Sequence, residues 1–165
     1  MNEKTTIFCD MDGVLCDFVS QLKKKTGMTI SQFQNISNPK ERWKKVIESN
    51  RFWHDMPWMP GGKEVWNYIK KYNVRILSAY VEGAFDPNCI PGKRYWAQKN
   101  LGLNQAKVHL VERKDKKRFA VMNGEPCILI DDYIKNINEF NQAGGKGIQF
   151  TTPSKVIAEL KKLGL

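Results

Sequence analysis

The sequence predicts a doubly wound α/β domain, in which a parallel sheet is covered by helices on both faces. Two observations carry that prediction. Short runs at residues 5–10, 74–79, 107–111, 126–132 and 147–150 are apolar almost throughout, and segments with helical periodicity separate them. Strands that are apolar on both faces belong to parallel sheets with helices on either side. In addition, Asp10, Asp12, Ser78, Asp131 and Asp132 fall at the C-terminal ends of three of these runs. Open parallel sheets bind their ligands at that edge.

Each element follows from local pattern. Residues 5–10 read as the first strand, and Val14 to about Lys25 as a helix with Phe18, Val19 and Leu22 on one face, stopped by Gly27. Residues 28–60 have another texture: bulky apolar residues from Met28 to Met59 alternate with polar ones and with Pro39, Pro57 and Pro60. They read as a few short helices inserted over the sheet and ended by Pro60-Gly61-Gly62. Val65, Trp66 and Ile69 place a helix over 63–72, before the second strand. Pro91 opens a helix to about Asn100, with Gly102 as its stop. After the third strand, Lys114 to Met122 reads as a basic helix with a solvated face. The fourth strand ends in Asp131-Asp132; Ile134, Ile137 and Phe140 mark the helix beyond it, with Gly144-Gly145 at its end. A short fifth strand and an amphipathic helix from Ser154 to Leu163 close the chain. The expected organisation is a core of residues 1–17 and 61–165 with a small helical cap at 18–60.

At 165 residues the chain is long enough to bury a sizeable core as one domain. Its net charge of +10 favours acidic partners, phosphate esters and nucleotides first and nucleic acid second. No apolar run is long enough for a membrane span and no signal peptide is evident, so a soluble, cytoplasmic protein without a membrane partner is expected. Cys9, Cys16, Cys89 and Cys127 form no CxxC pair and read as reduced structural thiols.

The chemistry starts at Asp10-Met11-Asp12-Gly13. In extended backbone, residues two apart share a face, so both carboxylates leave the strand end together. Two like charges that close need a cation, a proton or a dense set of hydrogen bonds. An all-oxygen site beside a phosphate suits Mg²⁺. Asp10 could then attack phosphorus, with Asp12 protonating the departing alkoxide and afterwards deprotonating water. Asp131 would complete the cation site with Asp10 and a backbone carbonyl, and Ser78 would donate its hydroxyl to the phosphoryl oxygens beside a lysine.

Asp10-Met11-Asp12-Gly13-Val14, the strand-ending Ser78, a helix-borne lysine and Asp131-Asp132 together resemble the four motifs of the haloacid dehalogenase superfamily of phosphotransferases, over roughly residues 5–150. The resemblance implies Asp10 as nucleophile and Asp12 as acid/base. It implies Mg²⁺ held by Asp10, the Asp12 carbonyl and Asp131, with Asp132 as a further or outer ligand, and phosphate held by Ser78 and Ala79. Motif two is Ser where Thr is commoner, which keeps the hydroxyl. For the lysine, Lys93 in Pro91-Gly92-Lys93-Arg94-Tyr95-Trp96 matches best, with Lys99, Lys114, Lys116 and Lys117 as the other candidates.

A closer resemblance is to the 5'(3')-deoxyribonucleotidase branch, carried by Asp10 through Phe18, by Phe52-Trp53 and by Ile128 through Asp132. That branch has a cap whose aromatics enclose base and sugar, and the 65 residues between Asp12 and Ser78 leave room for one. It implies Phe18, Phe52, Trp53 and Trp58 as pocket residues, Arg113 as a phosphate contact despite a longer spacing to Asp131, a nucleoside monophosphate as substrate, and allows a homodimer. The alternatives are a phosphatase for 3'- or 5'-phosphate ends of polynucleotides and an inactive nucleic-acid-binding module on the same scaffold.

Overall fold

The computed structural model describes residues 1–2 and 4–165. Its centre is a sheet of five parallel strands in the order β3-β2-β1-β6-β7: β1 (Thr6–Cys9), β2 (Asn73–Ala79), β3 (Val108–Val111), β6 (Ile128–Asp131) and β7 (Lys146–Gln149). Between β3 and β6 a small antiparallel hairpin, β4 (Val121–Met122) and β5 (Glu125–Pro126), turns through Asn123 and Gly124, both at positive φ. Asn-Gly is the pair that such a turn favours.

Alternation along the strands explains why the sheet is buried on both sides. Ile7, Cys9, Ile76, Ile128 and Ile130 point into one apolar cluster, and Phe8, Leu77 and Leu129 into a second. The first cluster lies under α4 (Gly62–Ile69), α5 (Cys89–Leu101) and α7 (Pro153–Lys162), to which Val65, Trp96 and Val156 belong. The second lies under α6 (Ile134–Gln142), through Ile137 and Phe140. The doubly wound architecture expected from the sequence is thus the one observed.

Between β1 and β2 the chain builds α1 (Phe18–Thr26), α2 (Ile30–Gln34) and α3 (Pro39–Glu48). Their apolar residues Leu22, Phe33 and Val46 join the first cluster, so one core runs from the sheet into these helices. Several local readings need correction. Helix α1 opens at Phe18 rather than Val14, because residues 11–16 wind into a tight turn. There the Met11 carbonyl accepts from the amides of Val14, Leu15 and Cys16, and Asp17 then caps the helix. Val19 is half exposed, and the buried face is formed by Gln21 and Leu22. The basic segment is a 3-10 helix at Arg113–Phe119, and the strand read from Pro126 begins at Ile128 because Pro126 belongs to the hairpin. All four cysteines are free and buried. No helix among the described residues is long and apolar enough to cross a membrane.

Candidate active site

The strand order places β1 between β2 and β6, so Asp10, Ser78 and Asp131 end three neighbouring strands. The Asp10 amide continues the ladder to the Ile130 carbonyl at 2.9 Å. The chain turns sharply after Asp12 because Gly13 adopts φ +84°; a Cβ on residue 13 would collide with the Asp132 carboxylate. That glycine lets the two acidic ends approach each other.

Asp10 is 6% exposed and uses one oxygen, Oδ1, to accept from the Met11 amide at 2.8 Å and to face the Lys116 ammonium at 3.2 Å. Asp131 is fully buried. Its Oδ2 accepts from Lys116 Nζ at 2.7 Å and from Asn136 Nδ2 at 3.0 Å, and its Oδ1 accepts from the Tyr133 amide at 2.9 Å. Burial pushes the Asp10 carboxyl above its ordinary range; Lys116 opposes the rise and Asp131 adds to it. Burial also works against the Lys116 ammonium, but Asp10 and Asp131 outweigh it and the net direction is up. The lysine therefore stays charged between the two acids.

A second lysine sits on the other side. Lys93, 2% exposed and carried by α5, donates to Asp12 Oδ2 at 2.9 Å, Ser78 Oγ at 2.9 Å and the Ala79 carbonyl at 2.6 Å. Burial lowers its pKa, whereas Asp12 and then Cys89 raise it, for a net rise. The remaining oxygen of Asp12, Oδ1, is buried and has no hydrogen-bond partner among the described residues. An unpaired buried acceptor is costly and marks a place where a proton or a ligand atom belongs.

Asp10, Asp131 and Asp132 each bring a carboxylate oxygen to within 4.8 Å of the others. Asp132 keeps an exposed side, yet partial desolvation first, then the charges of Asp10 and Asp131, push its carboxyl up to about 7 from its ordinary 3.8, an effect that water on the exposed side weakens. Across the site, four carboxylates face two ammonium groups, a formal excess of two negative charges. The donor set, all oxygen and doubly negative, fits one hard divalent cation.

This predicts a pH effect. The folded state keeps the Asp132 proton that the unfolded chain releases near pH 4, so the stability due to this group is full below that pH and is lost as the pH rises toward 7. Between about pH 4 and pH 7 the Tm of metal-free protein is expected to fall relative to that of Asp132→Asn, and Mg²⁺ is expected to recover it at pH 7. A difference between the two proteins that does not change with pH would remove Asp132 from the acidic cluster.

Above the carboxylates opens a cleft of about 920 Å³. Its floor includes Asp12, Gly13, Lys93 and Asp132, and its walls include Phe18, Phe33, Trp43 and Trp53. No protein-family model matches the chain, and neither does any curated protein. Solved structures do. A hydrolase from Pseudomonas syringae superposes with a TM-score of 0.56 at 16% identity, covering 97% of this chain and 99% of that one. L-2-haloacid dehalogenase from Xanthobacter autotrophicus gives 0.57 at 10% identity, with coverages of 96% and 83%. The chain has the haloacid dehalogenase fold. CbbY from Rhodobacter sphaeroides, in complex with phosphate, gives 0.51 at 13% identity, covering 88% and 85%.

Within that fold the residues singled out from sequence separate into two groups. Asp10, Asp12, Ser78, Ala79, Lys93, Asp131 and Asp132 converge at one edge of the sheet. Lys116 belongs with them and is the exception to the solvated face read for its segment: Lys116 is 2% exposed, whereas Lys114 and Lys117 beside it, and Lys99, are exposed. Arg113 is held elsewhere, with its guanidinium on Glu139 at 3.0 Å and on Asn136 at 2.9 Å. It supports Asn136, which bonds Asp131, and does not line the cleft.

The aromatic assignment also changes. Phe18 and Trp53 line the cleft. Phe52 is buried against their rings, at centroid distances of 5.6 and 5.0 Å, and Trp58 packs on Trp96 at 5.0 Å with the ring planes tilted by 60°. Phe33 and Trp43 take their places, packed edge to face at 4.9 Å. Only their position in the inserted segment pointed to these two in the sequence.

Proposed function

We propose that this protein is a Mg²⁺-dependent phosphomonoesterase that acts on (deoxy)ribonucleoside monophosphates through an aspartyl-phosphate intermediate. The observation that supports it most is the convergence of Asp10, Asp131 and Asp132 beside Asp12 at the floor of an aromatic-walled cleft.

Asp10 attacks through the oxygen that its two bonds leave free, Oδ2. The new bond joins that oxygen to phosphorus as the P–O bond to the leaving alkoxide breaks, and Asp12 gives the alkoxide its proton from Oδ1. Water then attacks the phosphoryl group, Asp12 takes a proton from it, and the Asp10–phosphorus bond breaks to release inorganic phosphate. Ser78 and Lys93 hold the phosphoryl oxygens, and Lys116 holds Asp10 and Asp131 in place. When bound to Asp10, Asp131 and Asp132, Mg²⁺ supplies positive charge against the phosphoryl oxygens.

The fold that the chain shares with CbbY, a protein solved with phosphate, supports the choice of a phosphoryl substrate. The walls favour a planar organic group: the partly buried Phe18 and Trp43 offer ring surface on which a base can stack, backed by the buried Phe33 and Trp53. An enclosing cleft suits a substrate small enough to fit inside it, which favours a mononucleotide over the end of a polymer.

The test is phosphate release from a panel of nucleoside monophosphates and from an end-phosphorylated oligonucleotide, with Mg²⁺ and with EDTA. Turnover of mononucleotides that EDTA abolishes is expected. Preference for the oligonucleotide with a steep loss on raising salt would instead make polynucleotide ends the substrate.

A further inference from the structure

We propose that Asp86 is a positioning residue that fixes the Trp53 indole as a wall of the cleft, and thereby sets how tightly the organic half of the substrate is held. The inference rests on the phosphatase reading and concerns a residue that the chemistry above does not use.

Trp53 comes from the segment inserted between β1 and β2, and Asp86 from the loop that leads from β2 into α5. Trp53 Nε1 donates to Asp86 Oδ2 at 2.6 Å, and the Asn88 amide donates to Oδ1 at 2.9 Å. Asp86 is 1% exposed, and no lysine or arginine among the described residues forms an ion pair with it. A carboxylate buried without a counter-charge is expensive. Only a carboxylate offers an acceptor to both donors at once, since asparagine would turn its NH₂ toward one of them.

Two further features converge on the same ring. Helix α5 brings Gly92 so close that a Cβ there would collide with the Trp53 Cβ. The next residue, Lys93, holds its ammonium 5.3 Å from the indole centroid while it bonds Asp12 and Ser78. Trp53 is thus bonded at its edge, backed at its root and faced by the site's own cation. Without Asp86 the indole loses the bond that sets its rotation, and whatever packs against it in the cleft is held less well.

The experiment compares kcat and KM for a deoxyribonucleoside monophosphate and for glycerol 2-phosphate, which carries no ring, all with Mg²⁺. The proteins are the wild type, Asp86→Ala, Asp86→Asn, Trp53→Phe and the double variant Asp86→Ala/Trp53→Phe. In Asp86→Ala the KM for the nucleotide is expected to rise about tenfold, the worth of one hydrogen bond to a charged group, with a smaller change in kcat and in the KM for the ringless ester. Trp53→Phe keeps a ring without the N–H and is expected to act in the same direction. The double variant is expected to be no worse than Trp53→Phe alone, because Asp86 acts through Trp53.

Additive effects, or an equal rise in KM for both esters, overturn the proposal. Should Asp86→Ala fail to fold, Asp86→Asn and Trp53→Phe carry the test. The indole N–H proton resonance missing from Trp53→Phe is then expected to shift upfield in Asp86→Asn, and an unmoved resonance overturns the hydrogen bond. Wild-type protein inert toward both esters overturns the phosphatase reading and this inference with it. Active wild type with unchanged KM in Asp86→Asn and Trp53→Phe overturns the role of Asp86 alone.

Discussion

Asp10→Asn is expected to reduce Mg²⁺-dependent hydrolysis of a deoxyribonucleoside monophosphate by at least about 10⁴-fold, the scale on which loss of a nucleophile acts. The amide has nearly the shape of the carboxylate, and its oxygen can still accept from the Met11 amide. It cannot form an acyl phosphate. The fold should not suffer. Burial holds the Asp10 carboxyl above its ordinary range, so its ionised form opposes folding at neutral pH, and a neutral amide removes that opposition. Lys116 keeps Asp131 as a partner. Thermal unfolding followed by circular dichroism should therefore place the variant's Tm within a few degrees of wild type, while phosphate release falls to background. Activity retained in a folded variant would sink the nucleophile assignment.

Lys116→Met is expected to damage both activity and stability. Its ammonium is buried between Asp10 and Asp131, at 3.2 and 2.7 Å, and among the described residues no other cation pairs with the fully buried Asp131. Removing one partner of a buried ion pair costs about 3–5 kcal/mol, which in a domain of this size is a fall in Tm of roughly 10 °C. The two acids then repel each other unscreened, Asp10 is driven further toward its protonated form, and hydrolysis is expected to fall by at least about 10³-fold. Lys93→Met makes the informative comparison. Asp12 keeps a side chain about one-third exposed, so water can replace the lost ammonium there and the stability loss should be smaller. If Lys93→Met proved the more destabilising of the two, the view that Lys116 neutralises the more deeply buried carboxylates would be wrong.

The positions of the acids were legible in the sequence for a simple physical reason. A strand buried on both faces must be apolar throughout, so the residue at which polarity resumes marks its end, and Asp10 and Asp131 are such residues. The lysines were harder to read. With 27 lysines and arginines in the chain, composition cannot say which ammonium is buried. Lys116 sits in a run of basic residues whose local pattern is that of a solvated helix, and its partner Asp131 lies beyond the small hairpin. The aromatics failed in the same way. Phe18, Phe33, Trp43, Phe52 and Trp53 pack on one another, and which of them presents a face to the cleft depends on how the rings interlock. Trp58 was lost to a packing partner, Trp96, on α5.

By itself the sequence determined that strands and helices alternate, that the sheet is parallel, and hence that the carboxylates following β1 and ending β6 meet at one edge. Those features follow from periodicity, because parallel strands all end on the same side. The tertiary structure alone decided which cations meet those acids. Lys93 bonds a carboxylate 81 residues away, Asp12, and Lys116 reaches across to both Asp10 and Asp131. A charge is buried only where the fold supplies its counter-charge, and that supply is set by neighbours in space.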